Sequence, residues 1–134
     1  MISTELARAL RDSGLVWKPR AGDAFRIDLV EADDELFVLS DMTVEAHEFS
    51  TGTVLGFNGT TEWALDSVAL DEALWHPHEH QLREALGPAF VSLTAIDGYT
   101  VTATIDGLTG TFRADAAADA YAKALLRLLD SLVA

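Results

Sequence analysis

The sequence predicts an α+β fold: a single domain over residues 1–134, with a largely antiparallel sheet of five to seven strands and helices packed on one face. Three observations carry that reading. Near the C-terminus, three β-rich runs are separated by Asp97-Gly98 and Asp106-Gly107, and Asp-Gly between such runs is a hairpin signal because both central residues need positive φ. Earlier, Ala24–Val30 alternates Phe25, Ile27 and Leu29 with Arg26 and Asp28, the period of a half-buried strand. The helical patterns lie at the two ends and around the centre, without the strict alternation of a doubly wound fold.

Taken in order, Ser3 is placed to cap a first helix whose stripe is Leu6, Ala7 and Leu10. Ser13-Gly14 ends it, Gly14 suiting the left-handed position after the last turn. Leu15–Trp17 reads as extended, and Pro19 and Gly22 break the chain before the first strand. Glu31–Glu35 is a charged turn; Leu36–Leu39, Met42–Phe49 and Thr53–Phe57 are further strands, the last two joined by Ser50-Thr51-Gly52. A helix is expected from Thr60 to about Val68, with Trp63, Ala64 and Val68 facing inward, and Leu74-Trp75 reads as extended.

Pro77 suits the first position of another helix, which Gly87-Pro88 stops. The runs Phe90–Ile96, Tyr99–Ile105 and Leu108–Arg113 form a three-stranded meander. Asp115 then caps a long helix to about Val133. Its stripe is Tyr121, Leu125, Leu128, Leu129 and Leu132, Ala118 and Ala122 allow close approach, and Asp119 stands four residues before Lys123. The stripe is broad enough that a homodimer burying its excess is expected as an addition.

Composition narrows the function. The formal net charge is −13, from 22 acids against 9 Lys and Arg, which excludes nucleic acid and anionic membrane surfaces as natural partners and permits a basic protein partner. Ile27–Leu82 contains no Lys or Arg and carries 13 of the acids, so that permission concentrates in the middle of the chain. Cysteine is absent, which removes disulfides, thiolate nucleophiles and Cys-based zinc sites and fits a cytoplasmic setting. Nothing near Met1 reads as a signal peptide, and no apolar run is long enough to span a bilayer.

The candidates for chemistry gather between residues 58 and 80. His76, His78 and His80 put three imidazoles within five residues, a set that binds zinc or nickel if the rings converge, with Glu79 beside a bound water as base. If Pro77 opens the helix, His78 and His80 project about 200° apart and share no ion. Gly52–Thr61 has the glycines of a phosphate loop, but no Walker lysine follows and Glu62 would repel a phosphate; turn glycines explain it better. Glu62 and Asp66 lie one helical turn apart, and with Asp41 and Glu45 they are the carboxylates available for acid–base work. Asn58, Glu62, Trp63, Asp66 and Trp75 together make the candidate ligand or partner surface. No catalytic set and no cofactor follows from these spacings.

The segments LARALRDSGLVWKPRAGDAF, FVLSDMTVE and FNGTTEWALDSV, with the pattern around Trp75-His76-Pro77 that runs on to Gln81-Leu82-Arg83-Glu84, cover most of the first 86 residues. In them the chain resembles a family of small uncharacterised Gram-positive-type bacterial proteins, some of which carry the label pilus assembly protein. The resemblance implies no activity, cofactor or catalytic residue. The expected function is that of a small acidic cytoplasmic accessory or protein-interaction module that is not an enzyme. The alternatives are a small-molecule-binding protein or hydrolase with a pocket near Trp63, Trp75 and His76–His80, or a metal-binding protein.

Overall fold

In the computed structural model, residues 1–27, 36–39, 44–49, 52–57, 67–69 and 72–132 are described, with 44–49, 52–57 and 67–69 described by their backbone alone. The chain divides into two compact units, Met1–Val16 with His76–Ala134 and Trp17–Trp75. Each is described by itself.

In the first unit, helix α1 (Thr4–Asp12) starts where Ser3 predicts it: the Ser3 hydroxyl accepts the Leu6 N–H at 3.3 Å. It ends in a Schellman turn. Leu15 N–H reaches the Leu10 carbonyl at 2.9 Å and Gly14 N–H the Arg11 carbonyl at 3.1 Å, with Gly14 at φ 107°. Ala7 and Leu10 are buried, together with Ile2 just before the helix.

Helix α2 (Glu79–Leu86) starts later than the proline suggested. His78, with φ −74° and ψ 163°, is the N-cap, and Pro77 lies one residue outside, fully buried. The Gln81 side chain accepts the His78 N–H at 2.9 Å. A polar residue three positions past the cap thus outweighs the preference of proline for the first helical position. Leu82 and Leu86 form the buried face, and a 3₁₀ turn at Gly87–Ala89 follows.

The meander appears as expected: β7 (Phe90–Thr94), β8 (Tyr99–Ile105) and β9 (Leu108–Ala114) form an antiparallel sheet in that order. Asp106 (φ 52°) and Gly107 (φ 78°) make the two-residue turn between β8 and β9. Asp97 and Gly98 are also left-handed, but β7 stops at Thr94, so that connection is longer than a tight hairpin. A bulge between Phe90 and Ser92 shifts the β7 register.

Helix α3 (Ala117–Leu132) packs on β8 and β9 and is flanked by α1 and α2. It begins two residues past Asp115. Its alanines at 117, 118, 120, 122 and 124 are all buried, which lets it lie close to the sheet and to both helices. Val101, Ala103 and Ile105 of β8 form the sheet side of this core. The expected Asp119–Lys123 pairing gives way to longer-range partners. Asp119 accepts the Ser3 N–H at 2.8 Å, and Lys123 Nζ donates to the Arg113 carbonyl at 2.7 Å.

The second unit holds two small sheets. One has the order β2-β1-β6, from β1 (Ala24–Ile27), β2 (Phe37–Val38) and β6 (Ala73–His76), whose last residue belongs to the first unit. The other has the order β3-β4-β5, from β3 (Val44–Phe49), β4 (Gly52–Phe57) and β5 (Ser67–Ala69). Strands β3 and β4 pair antiparallel from Val44↔Phe57 to Phe49↔Gly52, so Gly52 belongs to the strand and not to the turn.

Three features depart from the sequence reading. Each sheet among the described residues has three strands, not five to seven. Ser67 and Val68, assigned above to the end of a helix, are strand residues paired with Gly56 and Leu55; the open edge of β4 outweighs the local helical pattern. The remainder of that helix, like the Glu31–Glu35 turn, lies outside the described residues. In β1, Arg26 is buried along with Phe25, so the strand is covered on both faces rather than one.

Candidate functional site

In the second unit the aromatic side chains build one cluster. Trp17, Phe25, Leu39 and Ala73 are buried together, with Ile27, Phe37 and Trp75 packed against them. The Trp17 and Trp75 rings stack nearly parallel, 11° apart with centroids at 6.4 Å, and Trp17 tilts onto Phe25 at 5.5 Å. The strand β6 places Trp75 in this cluster, as the extended reading of Leu74-Trp75 implies.

Asp23 locks the cluster at one end, and sequence reasoning missed it. Its Oδ2 accepts the Trp17 indole N–H at 2.9 Å and the Arg20 backbone N–H at 3.0 Å, although the residue is only 3% exposed. Its backbone carbonyl accepts the Leu39 N–H at 2.9 Å, while Gly22 donates to the Leu39 carbonyl at 2.7 Å. The carboxylate therefore closes the loop between Trp17 and β1, and the backbone of Gly22 and Asp23 ties that loop to Leu39 just beyond β2. The available signal was an aspartate directly after a turn glycine and directly before an apolar strand, six residues past a tryptophan. Trp75 has no such lock. Its indole N–H is buried without a hydrogen-bond acceptor among the described residues.

The three histidines fall in three different settings of the first unit. His76 ends β6 and is 3% exposed. His78 is the half-buried cap of α2, and His80 lies exposed in its first turn. The expected divergence of His78 and His80 does not occur. Because His78 has extended rather than helical backbone, its ring turns back and stacks on His80, 12° from parallel with centroids 5.7 Å apart. Imidazole lone pairs lie in the ring plane, so stacked rings do not aim two nitrogens at one ion. Among the described residues no group of three or more His, Asp or Glu side chains is arranged to hold a metal. Asn58, Glu62, Trp63 and Asp66 lie outside the described residues, as does Asp41; Glu45 is described by its backbone only.

A second polar–aromatic contact joins α2, β7 and α3. The Arg83 guanidinium sits 4.5 Å from the Phe90 ring centroid, and Phe90 contacts Tyr121 at 5.7 Å. Burial pushes the Tyr121 phenol above its ordinary value; nearby Arg83 pulls it back and Glu79 pushes it up. The cation thus lies over Phe90, which in turn contacts the ring of the buried Tyr121.

Among the described residues no helix is long and apolar enough to cross a membrane. Comparison of the chain with protein-family models, with curated proteins and with solved structures returns no match.

Proposed function

We propose that the protein is a cytoplasmic, non-enzymatic accessory or protein-interaction module whose partner presents a basic surface. The observation that carries this reading is the charge of Ile27–Leu82, 13 acids with no Lys or Arg, in a chain of net charge −13. Such a field attracts basic surfaces over a Debye length and repels nucleic acid and anionic lipid. The described polar groups also support it: Asp23 is committed to Trp17 and Arg20, and the His78 and His80 rings to one another. The test is a pull-down from extract of the source cell type with the intact chain as bait, across a salt series. A partner retained at low salt and released as salt rises is the expected result; no partner at low salt overturns the reading.

A second reading, a small-molecule-binding protein with its pocket near Trp75, is favoured by the buried indole N–H, which has no acceptor among the described residues. A ligand carbonyl or carboxylate would complete it. Quenching or shift of tryptophan fluorescence by small carboxylates, lost in Trp75→Phe, is its expected signature; no response across a panel of them removes it.

A further inference from the structure

We infer that Trp17–Trp75 is an inserted unit that opens and closes as one piece while Met1–Val16 and His76–Ala134 stay folded, and that the stacked rings of its first and last residues are its clasp. The inference is independent of the basic-partner reading, because it concerns the stability of each unit and not what binds to it.

The chain leaves the first unit at Val16 and returns to it at His76, so the second unit is an insertion in sequence. An insertion is tolerated when its two ends meet, because the host then folds much as a continuous chain would. Here they meet. The insert begins with Trp17 and ends with Trp75, and the two rings stack 11° from parallel with centroids at 6.4 Å. Trp17 is fixed in turn by its N–H bond to Asp23 at 2.9 Å and by its tilt onto Phe25. A closed stack relieves the host of the entropy of closing a long loop.

The host joins its own two segments. Ser3 N–H donates to Asp119 at 2.8 Å, α1 packs on α3, and Ile2, Ala7 and Leu10 are buried. Against them stand the 16 residues of α3 and the 7-residue strands β8 and β9. The insert is slighter. Its buried cluster of Trp17, Phe25, Leu39 and Ala73 draws on residues of the insert, and the strands beside it, β1, β2 and β6, have four, two and four residues. Charge widens the difference. Trp17–Trp75 holds 13 acids against Lys18, Arg20 and Arg26, a net −10; the two outer segments share 9 acids and 6 Lys and Arg, a net −3, which completes the −13 of the chain. Like charge at that density opposes the compact state, and salt relieves it. Proteins open locally in contiguous cooperative pieces, the least stable first, and the insert is that piece here.

The test is native-state hydrogen exchange on the intact chain, read by mass spectrometry at about 20 mM and about 500 mM salt. Peptides covering β1, β3, β4 and β6 are compared with those covering β8, β9 and α3. The insert strands are expected to exchange at one common level, faster than the host, and to slow by roughly tenfold at high salt while the host changes by less than about twofold. Trp75→Ala is expected to speed exchange in all four insert strands by roughly tenfold or more and to leave the host unchanged. Trp75→Phe, which keeps a ring for the stack, should move them less. A host that exchanges at the level of the insert, or that follows it with salt or with Trp75→Ala, overturns the inference, because the chain then opens as one. So do insert strands that open at separate levels, or a Trp75→Ala effect confined to β6.

Discussion

Replacing Asp23 with alanine tests how the second unit is held together. The carboxylate accepts two hydrogen bonds on Oδ2, from Trp17 Nε1 at 2.9 Å and from Arg20 N at 3.0 Å. A hydrogen bond to a charged acceptor contributes about 1.5–3 kcal/mol, and a donor left buried without an acceptor costs about 1–3 kcal/mol. Arg20 is exposed, so its N–H regains water when the carboxylate is removed and contributes the low end. The Trp17 ring is 8% exposed, and its N–H is left enclosed. Together the expected loss is about 3 kcal/mol. Asp23→Asn keeps one acceptor oxygen and should lose about 1 kcal/mol. Urea unfolding followed in parallel by tryptophan fluorescence and circular dichroism measures both, and would show whether the second unit unfolds separately. Repeating Asp23→Ala in a Trp17→Phe background supplies the coupling, since phenylalanine has no N–H to strand. The cost of Asp23→Ala should then fall by about 1.5 kcal/mol. A loss below about 0.5 kcal/mol, or an equal loss in both backgrounds, would refute the assignment of Asp23 as the lock on Trp17.

Gly98→Ala should destabilise more than Gly107→Ala in a denaturation series. Both sites have positive φ, costing about 1 kcal/mol each, but only at Gly98 would the new Cβ come 3.1 Å from a backbone oxygen, that of Ala114. Leu125→Ala, at 1% exposure in the core of the first unit, should cost about 2–5 kcal/mol by thermal or urea unfolding. For Tyr121 the sign follows from a phenol raised above 10.0 in the folded chain. Below 10.0 both states hold the proton and its contribution is fully present; as pH climbs from there through the folded value, the unfolded chain releases its proton first and stability falls. Tyr121→Phe should flatten that alkaline decline, read as unfolding free energy against pH.

What the sequence made legible was local chemistry. Ser3, Gly14 and Asp106-Gly107 each act through a few neighbouring backbone groups, and all three appear as read. The first half of the C-terminal helix was equally readable, with Ala118, Tyr121, Ala122 and Leu125 buried as read, but the expected stripe fades beyond it: Leu128 and Leu129 are half-buried and Leu132 is 71% exposed. Misreadings arose where a distant partner settles the outcome. Val68 has a helical neighbourhood but pairs with Leu55, and Asp119 has Lys123 one turn away but takes the Ser3 N–H. His78 was read as helical because Pro77 precedes it; the Gln81 side chain made it a cap, and that one residue's difference turned its ring onto His80. The candidate site suffered most, since Asp23 matters only once Trp17 and Leu39 have come to it.

Charge is segregated along this chain, and the segregation locates the proposed basic-partner contact. Ile27–Leu82 concentrates the acids, whereas Ala85–Ile96 has no charge of either sign. A partner drawn by the first should bind less tightly as ionic strength rises, because each screened ion pair contributes less. A charge-reversing change in the acidic middle, Glu72→Lys, should weaken that contact at low salt and lose its effect at high salt, read as the partner retained across the salt series. Equal weakening at low and high salt would mean that charge does not make the contact, and the reading from the acidic middle would then be wrong.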